Sequence, residues 1–224
     1  MTTQMLSGRA VKPVAVRDQV AAILRDAIQM GELIPGTPLV ERELCNALDV
    51  SRNTLREAMR TLEAECLLDI RPHRSPIVAV LTEKDARELY EVRTALEGEA
   101  VRLFSVRADE TMIAQLKVVS YTLADAIERG ATKELLHAKD QFFEVMLDGA
   151  QNAILRQYAR TAYLRLAPFR LRSLQRLERR MSSAQEVRDM FEAVSAGDAD
   201  TAVNLWRQHV RNAAAEALDT NPAC

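Results

Sequence analysis

The sequence predicts a mainly α-helical protein in two parts: an N-terminal winged helix-turn-helix with a small β-hairpin wing, and a C-terminal all-α bundle of six to seven helices. Three observations predict it. Ala, Leu, Arg and Glu dominate, while Gly and Pro number seven each and aromatics make up 4%, a composition that favours helix over sheet. Residues 41–68 divide into two short runs with apolar residues spaced three to four apart, joined by a turn. Beyond Leu81 no strand pattern appears, and amphipathic helical spacing continues to about Leu218. At 224 residues the chain is also long for one domain.

Residues 1–12 lack periodicity and are expected to form a flexible tail. A first helix is predicted over 16–30, with Val16, Val20, Ile23, Leu24, Ala27 and Ile28 on one face and Gly31 stopping it. Pro35-Gly36 signals a turn, and Pro38 forbids a helix through it. In the stretch 41–68, Leu44, Leu48, Val50, Leu55, Ala58, Met59 and Leu62 mark the buried face. Asp49-Val50 makes the turn, and Ser51 stands where a side-chain oxygen can cap the second helix. Two β-prone runs, 68–71 and 77–80, flank Pro72-His73-Arg74-Ser75-Pro76, a hairpin with a basic tip. The boundary between the two parts is placed near Leu81, giving domains of 13–80 and 81–218 and a second flexible tail at 219–224.

In the second part, Thr82 with Asp85 three residues on forms a helix-start signal, and a long helix is expected to about Ser105. Further helices are predicted over 109–128, 133–147, 184–195 and 199–218, and Gly130, Gly149 and Gly197 punctuate them. One more is expected from Asn152 to about Arg180, kinked at Pro168. Short loops between amphipathic helices describe a bundle.

The totals exclude several classes. No run of about 18 apolar residues exists, so no membrane partner is expected. The first residues carry no apolar signal core, and Cys45, Cys66 and Cys224 show no metal-like spacing, which predicts reduced thiols in a cytoplasmic protein. Only three histidines are present and no HExxH pattern, so catalysis is not expected. The net charge is −2, and residues 1–80 hold ten basic and ten acidic side chains. A case for nucleic acid therefore rests on where the arginines point, not on bulk charge.

The outward side of the second short helix carries Arg52, Asn53, Arg56 and Arg60, the arrangement of a helix that enters a DNA major groove N-terminus first. Arg can pair with a guanine edge in two places, Asn can read adenine, and Ser or Thr hydroxyls can hold phosphates. Arg60 lies deeper in the helix and is read as a solvated charge. The run Arg165, Arg170, Arg172, Arg176, Arg179 and Arg180, interleaved with leucines, is read as an amphipathic helix with a solvated basic face. Trp206, at helical spacing with Val203 and Val210, is read as core or dimer packing.

These residues carry a resemblance. GELIPGTPLVERELCNALDVSRNTLREAMRTLEAECLL with the wing RPHRSP resembles the winged helix-turn-helix of the GntR family of transcription regulators. LYEVRTALEGEAV, the AGD turn at Gly197-Asp198, Ala202 and His209 resemble the FCD-type helical effector domain of its FadR subgroup. The resemblance implies DNA contact at Arg42, Ser51, Arg52, Asn53, Thr54, Arg56, His73 and Arg74. It also implies a homodimer on a palindromic double-stranded operator, and a repressor released or retained by a small anionic effector. Three residues depart from the family's habit. Ser75 and Cys66 stand where Gly is usual, and Val40 where a capping Ser or Thr is usual.

Many members of the subgroup hold a divalent metal through one Asp and three His. Aligned on the landmarks above, those positions fall on Lys139, Phe143, Val187 and His209, so no metal and no other cofactor is expected. A one-residue shift brings in Asp140 but no histidine. Arg93, Lys139, Phe143, Val187 and His209 are the candidate pocket for a carboxylate or acyl-type ligand. Against this stands the reading that Lys139 reaches solvent or pairs with a buried carboxylate such as Glu97, and that nothing binds. The alternative function is a metal-dependent sensor or metal-binding helical enzyme joined to a DNA-binding domain.

Overall fold

A computed structural model of the chain describes residues 16–71, 74–130, 132–170, 172–174 and 176–219. It is mainly helical, with ten α-helices and one two-stranded sheet among these residues. The first half is a three-helix unit with a wing. Helix α1 (Val16–Gln29) buries Val20, Ala21, Leu24 and Ile28 against α3. Val16 and Ile23, expected on that face, are exposed because the contact stripe is centred on Val20-Leu24-Ile28 and Ala21 takes its edge.

Helix α2 (Glu41–Leu48) starts at Val40 without a side-chain cap, consistent with the missing hydroxyl there. Asp49 (φ 50°) makes the turn in the left-handed region. Helix α3 (Arg52–Ala64) is capped by Ser51, whose Oγ accepts the Thr54 amide at 3.1 Å. It buries Leu55, Ala58, Met59 and Leu62. After it, Cys66 adopts φ 57°, the left-handed conformation that favours glycine, so the side chain is carried at some backbone cost.

Strands β1 (Leu68–Asp69) and β2 (Ile77–Val78) pair antiparallel, Leu68 opposite Val78, and are shorter than the β-prone runs that predicted them. Residues 36–39 reinforce them. The Leu39 amide donates to the Pro76 carbonyl (2.7 Å), and the Val78 amide donates to that of Thr37 (3.1 Å). A two-residue pair alone is marginal; the added segment anchors the base of the wing.

The second half begins at α4 (Glu83–Arg107), opened by the Thr82/Asp85 capping box. Helices α5 (Glu110–Arg129), α6 (Thr132–Gly149), α7 (Ala153–Arg165), α8 (Ala167–Arg170), α9 (Leu177–Ser195) and α10 (Ala199–Leu218) follow. Helix α10 packs on α4 and α9, α5 lies against α9 and α6, and α4 also touches α7. Gly149 lies inside α6, not past its end. A Cβ there would come within 2.2 Å of the Phe104 ring, so close packing requires the glycine. The left-handed residue that turns the chain is Gln151 (φ 49°).

The single kinked helix expected over 152–180 does not form. It divides into α7, the short α8, a 3-10 turn (Arg172–Leu174) and α9, because Pro168 cannot donate to the ladder and disfavours helical backbone before it. The break carries the arginines out of one face. Arg170 is buried, and Arg179 pairs with Glu186 on α9. Arg176 pairs with Glu216, and Arg180 lies over Gly130 at the end of α5. The solvated basic face is thereby corrected: the proline decides which arginines turn inward. Helix α8 packs against α1, joining the two halves.

Candidate DNA interface and effector cavity

The N-terminus of α3 is presented to solvent. Arg42, Ser51, Arg52, Asn53 and Arg56 are exposed, and Thr54 is partly buried. The Ser51 and Thr54 hydroxyls lie 2.9 Å apart, so both side chains first serve the cap. Arg42, Arg52 and Arg60 form no ion pair or hydrogen bond with described residues. Arg56 differs. Its Nε and Nη2 bind the two carboxylate oxygens of Glu41 at 2.9 Å each, tying α3 to the start of α2. Arg74 is exposed at the wing. His73 lies outside the described residues.

The other site lies inside the helical half. Arg93, Lys139, Phe143 and His209, four of the five ligand candidates, line one cavity of about 40 Å³. The fifth, Val187, does not line it; it is packed in the core at 0% exposure. The cavity also draws in Arg170, Glu97 and Trp206, read otherwise from the sequence, and Tyr163, which the sequence did not single out. Trp206 is core: it is buried, donates Nε1 to Glu97 (3.0 Å) and stacks on His209.

The charges around it are organised in three groups. Arg93 donates to Glu97 at 2.6 Å. Burial opposes the Arg93 charge, but the carboxylate beside it more than compensates and raises its pKa. Glu186 accepts from His209 Nδ1 (2.7 Å), Asn212 (2.7 Å) and Arg179 (2.8 Å). Burial works against its charge, yet these donors hold it down at about 2. Burial lowers His209 against the pull of Glu186. The lowered His209 pKa favours a neutral imidazole, and the 2.7 Å contact to Glu186 then places its proton on Nδ1.

Asp140 accepts from Tyr163 Oη and Arg170 Nη1, both at 2.8 Å. The Arg170 guanidinium lies 4.3 Å from the Tyr163 ring centroid, and the Phe143 ring stacks on that of Tyr163 with centroids 4.0 Å apart. Among the described residues Lys139 pairs with no carboxylate. Its Nζ donates to the Arg170 carbonyl at 3.2 Å, so it does not pair with Glu97, and the residue is part-buried. Burial, with Arg170 and Arg93 nearby, pushes its pKa down to about 7.

This donor set does not fit a divalent metal. The positions that would ligate it supply an ammonium, a phenyl ring and an isopropyl group besides one imidazole, and Asp140 is already engaged. Among the described residues no cluster of three or more His, Cys, Asp or Glu could hold one.

Comparison with known proteins gives a consistent outcome. Residues 16–78 match the gntR family of bacterial regulatory proteins, and residues 88–212 match the FCD domain. An uncharacterized HTH-type transcriptional regulator of Bacillus subtilis, YdhC, is 33% identical over a stretch covering 59% of this chain and 60% of that one. A Paenarthrobacter nicotinovorans protein named "Probable D-xylose utilization operon transcriptional repressor" is 30% identical, covering 87% of each chain. The repressor RspR of Escherichia coli is 26% identical over 88% of this chain and 86% of its own. Among solved structures, a GntR regulator from Rhodococcus sp. RHA1 superposes with a TM-score of 0.76 at 27% identity, covering 92% of this chain and 99% of that one. McbR/YncC of E. coli, at 20% identity, shares the fold with a TM-score of 0.79, covering 89% of this chain and 95% of that one.

Proposed function

The chain belongs to the GntR family of bacterial transcription regulators, with an FCD domain as its second half, and from that premise we propose that it is a ligand-responsive repressor working in the cytoplasm. Residues 13–80 read DNA, and residues 81–218 sense a small anionic metabolite and dimerise. The observation that carries the DNA reading is the N-terminus of α3. Arg52 there, and Arg42 at the start of α2, are exposed with no ion-pair partner among the described residues, beside the Glu41-held Arg56. Unpaired arginines at a helix start suit guanine edges and phosphates alike.

Two copies related by a twofold axis would present two such helices to the halves of a palindromic operator. An exposed apolar surface supports this reading. Val92 of α4 (46% exposed) and Tyr158 and Ile154 of α7 (62% and 66%) lie unpartnered on one side of the bundle. An effector that prefers one arrangement of the halves would shift operator occupancy by its differential affinity. The FCD-type cavity, with Arg93, Lys139, Phe143 and His209 around it, is the place for it. Nothing in the donor set favours the metal-dependent alternative.

The test is fluorescence anisotropy with DNA from upstream of the chain's own coding region. Tight, salt-dependent binding is expected, and Arg52→Ala should weaken it about ten-fold or more while the far-ultraviolet circular dichroism stays unchanged. Equal affinity in a folded Arg52→Ala protein refutes the assigned role.

A further inference from the structure

Arg170 is 2% exposed, and only one of its three guanidinium nitrogens is committed to a carboxylate. Nη1 binds Asp140, while Nε and Nη2 are buried without a partner among the described residues. Those two nitrogens form the side-on edge of the guanidinium, two parallel N–H groups spaced like the oxygens of a carboxylate. A buried donor left unmade costs about 1–3 kcal/mol, more when charged, so a vacant charged fork on a cavity wall signals a missing acceptor. Lys139 makes the same point from the same wall. Among the described residues its one hydrogen bond is to a neutral carbonyl, that of Arg170 itself.

We propose that the side-on edge of Arg170, with the Lys139 ammonium beside it, clamps the carboxylate of the effector. The proposal rests on the sensing reading above and names the group that binds. Tyr163 keeps the fork flat from one face, and Asp140 fixes its outer nitrogen, so the plane of the bound carboxylate is set in advance.

The cavity of about 40 Å³ holds only a few waters, whereas ligand pockets run to roughly 300–1,000 Å³. The effector therefore enters by displacing the clamp's surroundings. Arg170 is the last residue of α8, a four-residue helix whose neighbours include α1 of the DNA-binding half. Filling the clamp shifts the element on which α1 rests. The same contact that binds the carboxylate thus couples it to the DNA-reading half.

The experiment is a thermal-shift and calorimetric titration of the full chain. The probes are the sodium salts of acetate, succinate, gluconate and benzoate, each beside its uncharged amide, on wild type, Arg170→Lys and Lys139→Met. Lysine keeps the charge of Arg170 but not the fork. The expected result is that at least one salt raises the melting temperature while its amide does not. Arg170→Lys should then lower that affinity about 10- to 100-fold and abolish the salt's effect on DNA binding. Should Arg170→Lys fail to fold, Lys139→Met carries the test, with a weakened salt response expected and an unchanged one overturning the clamp. A salt that binds wild type and Arg170→Lys equally overturns the clamp and leaves the sensor standing. So does a response to the amides alone. If none of the probes shifts the melting temperature, water alone fills the cavity, and clamp and sensing site both fall.

Discussion

Arg93 and Glu97, one turn apart on α4, form an ion pair closed off from solvent, with Nε donating to a carboxylate oxygen at 2.6 Å and Glu97 0% exposed. Trp206 of α10 donates to the other oxygen at 3.0 Å, so the pair joins the two helices that pack most extensively. A buried pair of this kind is costly to break from one side, because the surviving charge has nowhere to go. Glu97→Gln should therefore destabilise the fold by about 3–5 kcal/mol. The double change Arg93→Met with Glu97→Leu should recover most of the loss. Urea unfolding of the three proteins checks this; a Glu97→Gln midpoint equal to wild type would show that the pair is not closed off.

Arg56 and Glu41 hold each other where α2 and α3 begin, with Arg56 exposed and Glu41 partly so. Exposed pairs add little stability, so their effect should appear in binding. Glu41→Gln removes a negative charge from the approach to phosphate and releases the Arg56 fork. Affinity for random-sequence duplex should rise a few-fold, as one more cation reaches the backbone. The ratio of operator to random affinity should fall, because Arg56 loses its fixed direction. Competition anisotropy at two salt concentrations measures both. A preserved ratio rules out a positioning role for Glu41.

Lys139 makes stability depend on pH. Its folded pKa is lowered by burial and by Arg170, Arg93 and Arg179, opposed by Asp140, to about 7, against 10.5 for the free side chain. Between these values the unfolded chain binds more protons than the folded one. Stability contributed by this group therefore rises as pH climbs from 7 towards 10.5, and the penalty of charging it is fully present below 7. Lys139→Met should stabilise the ligand-free protein at pH 6, by about 1–4 kcal/mol if it behaves as replaced buried ions do. The gain should shrink by pH 9. Denaturation midpoints at both pH values decide it, and a gain independent of pH would assign the effect to packing alone.

Much of this was legible in the chain. Ser51 and the Thr82/Asp85 box cap helices in the structure as their spacing implied, since a cap depends only on residues three apart. Arg93, Lys139, Phe143 and His209 meet at one cavity. The proximity of Lys139 and Phe143 could be read from their spacing of four. Arg170 was missed because a run of arginines among leucines looks like one solvated face. The available signal was Pro168, which breaks that face two residues earlier. Val187 was placed by alignment on the pocket, but its rotation on α9 turns it into the core.

By itself, the sequence determined most of the elements in order and type, and which face of α3 carries its exposed arginines. These follow from local periodicity, capping and side-chain chemistry, which neighbouring residues settle among themselves. Only the tertiary structure decided which charges are paired. Glu97 takes Arg93 and Trp206, Glu186 takes His209, and Asp140 takes one nitrogen of Arg170 and leaves two. Several of these partners lie far apart in the chain, and the pairing depends on how α4, α6, α8, α9 and α10 pack. Desolvation then makes an unmatched cation costly, so the fold, not the composition, sets the cost that Arg170 and Lys139 carry.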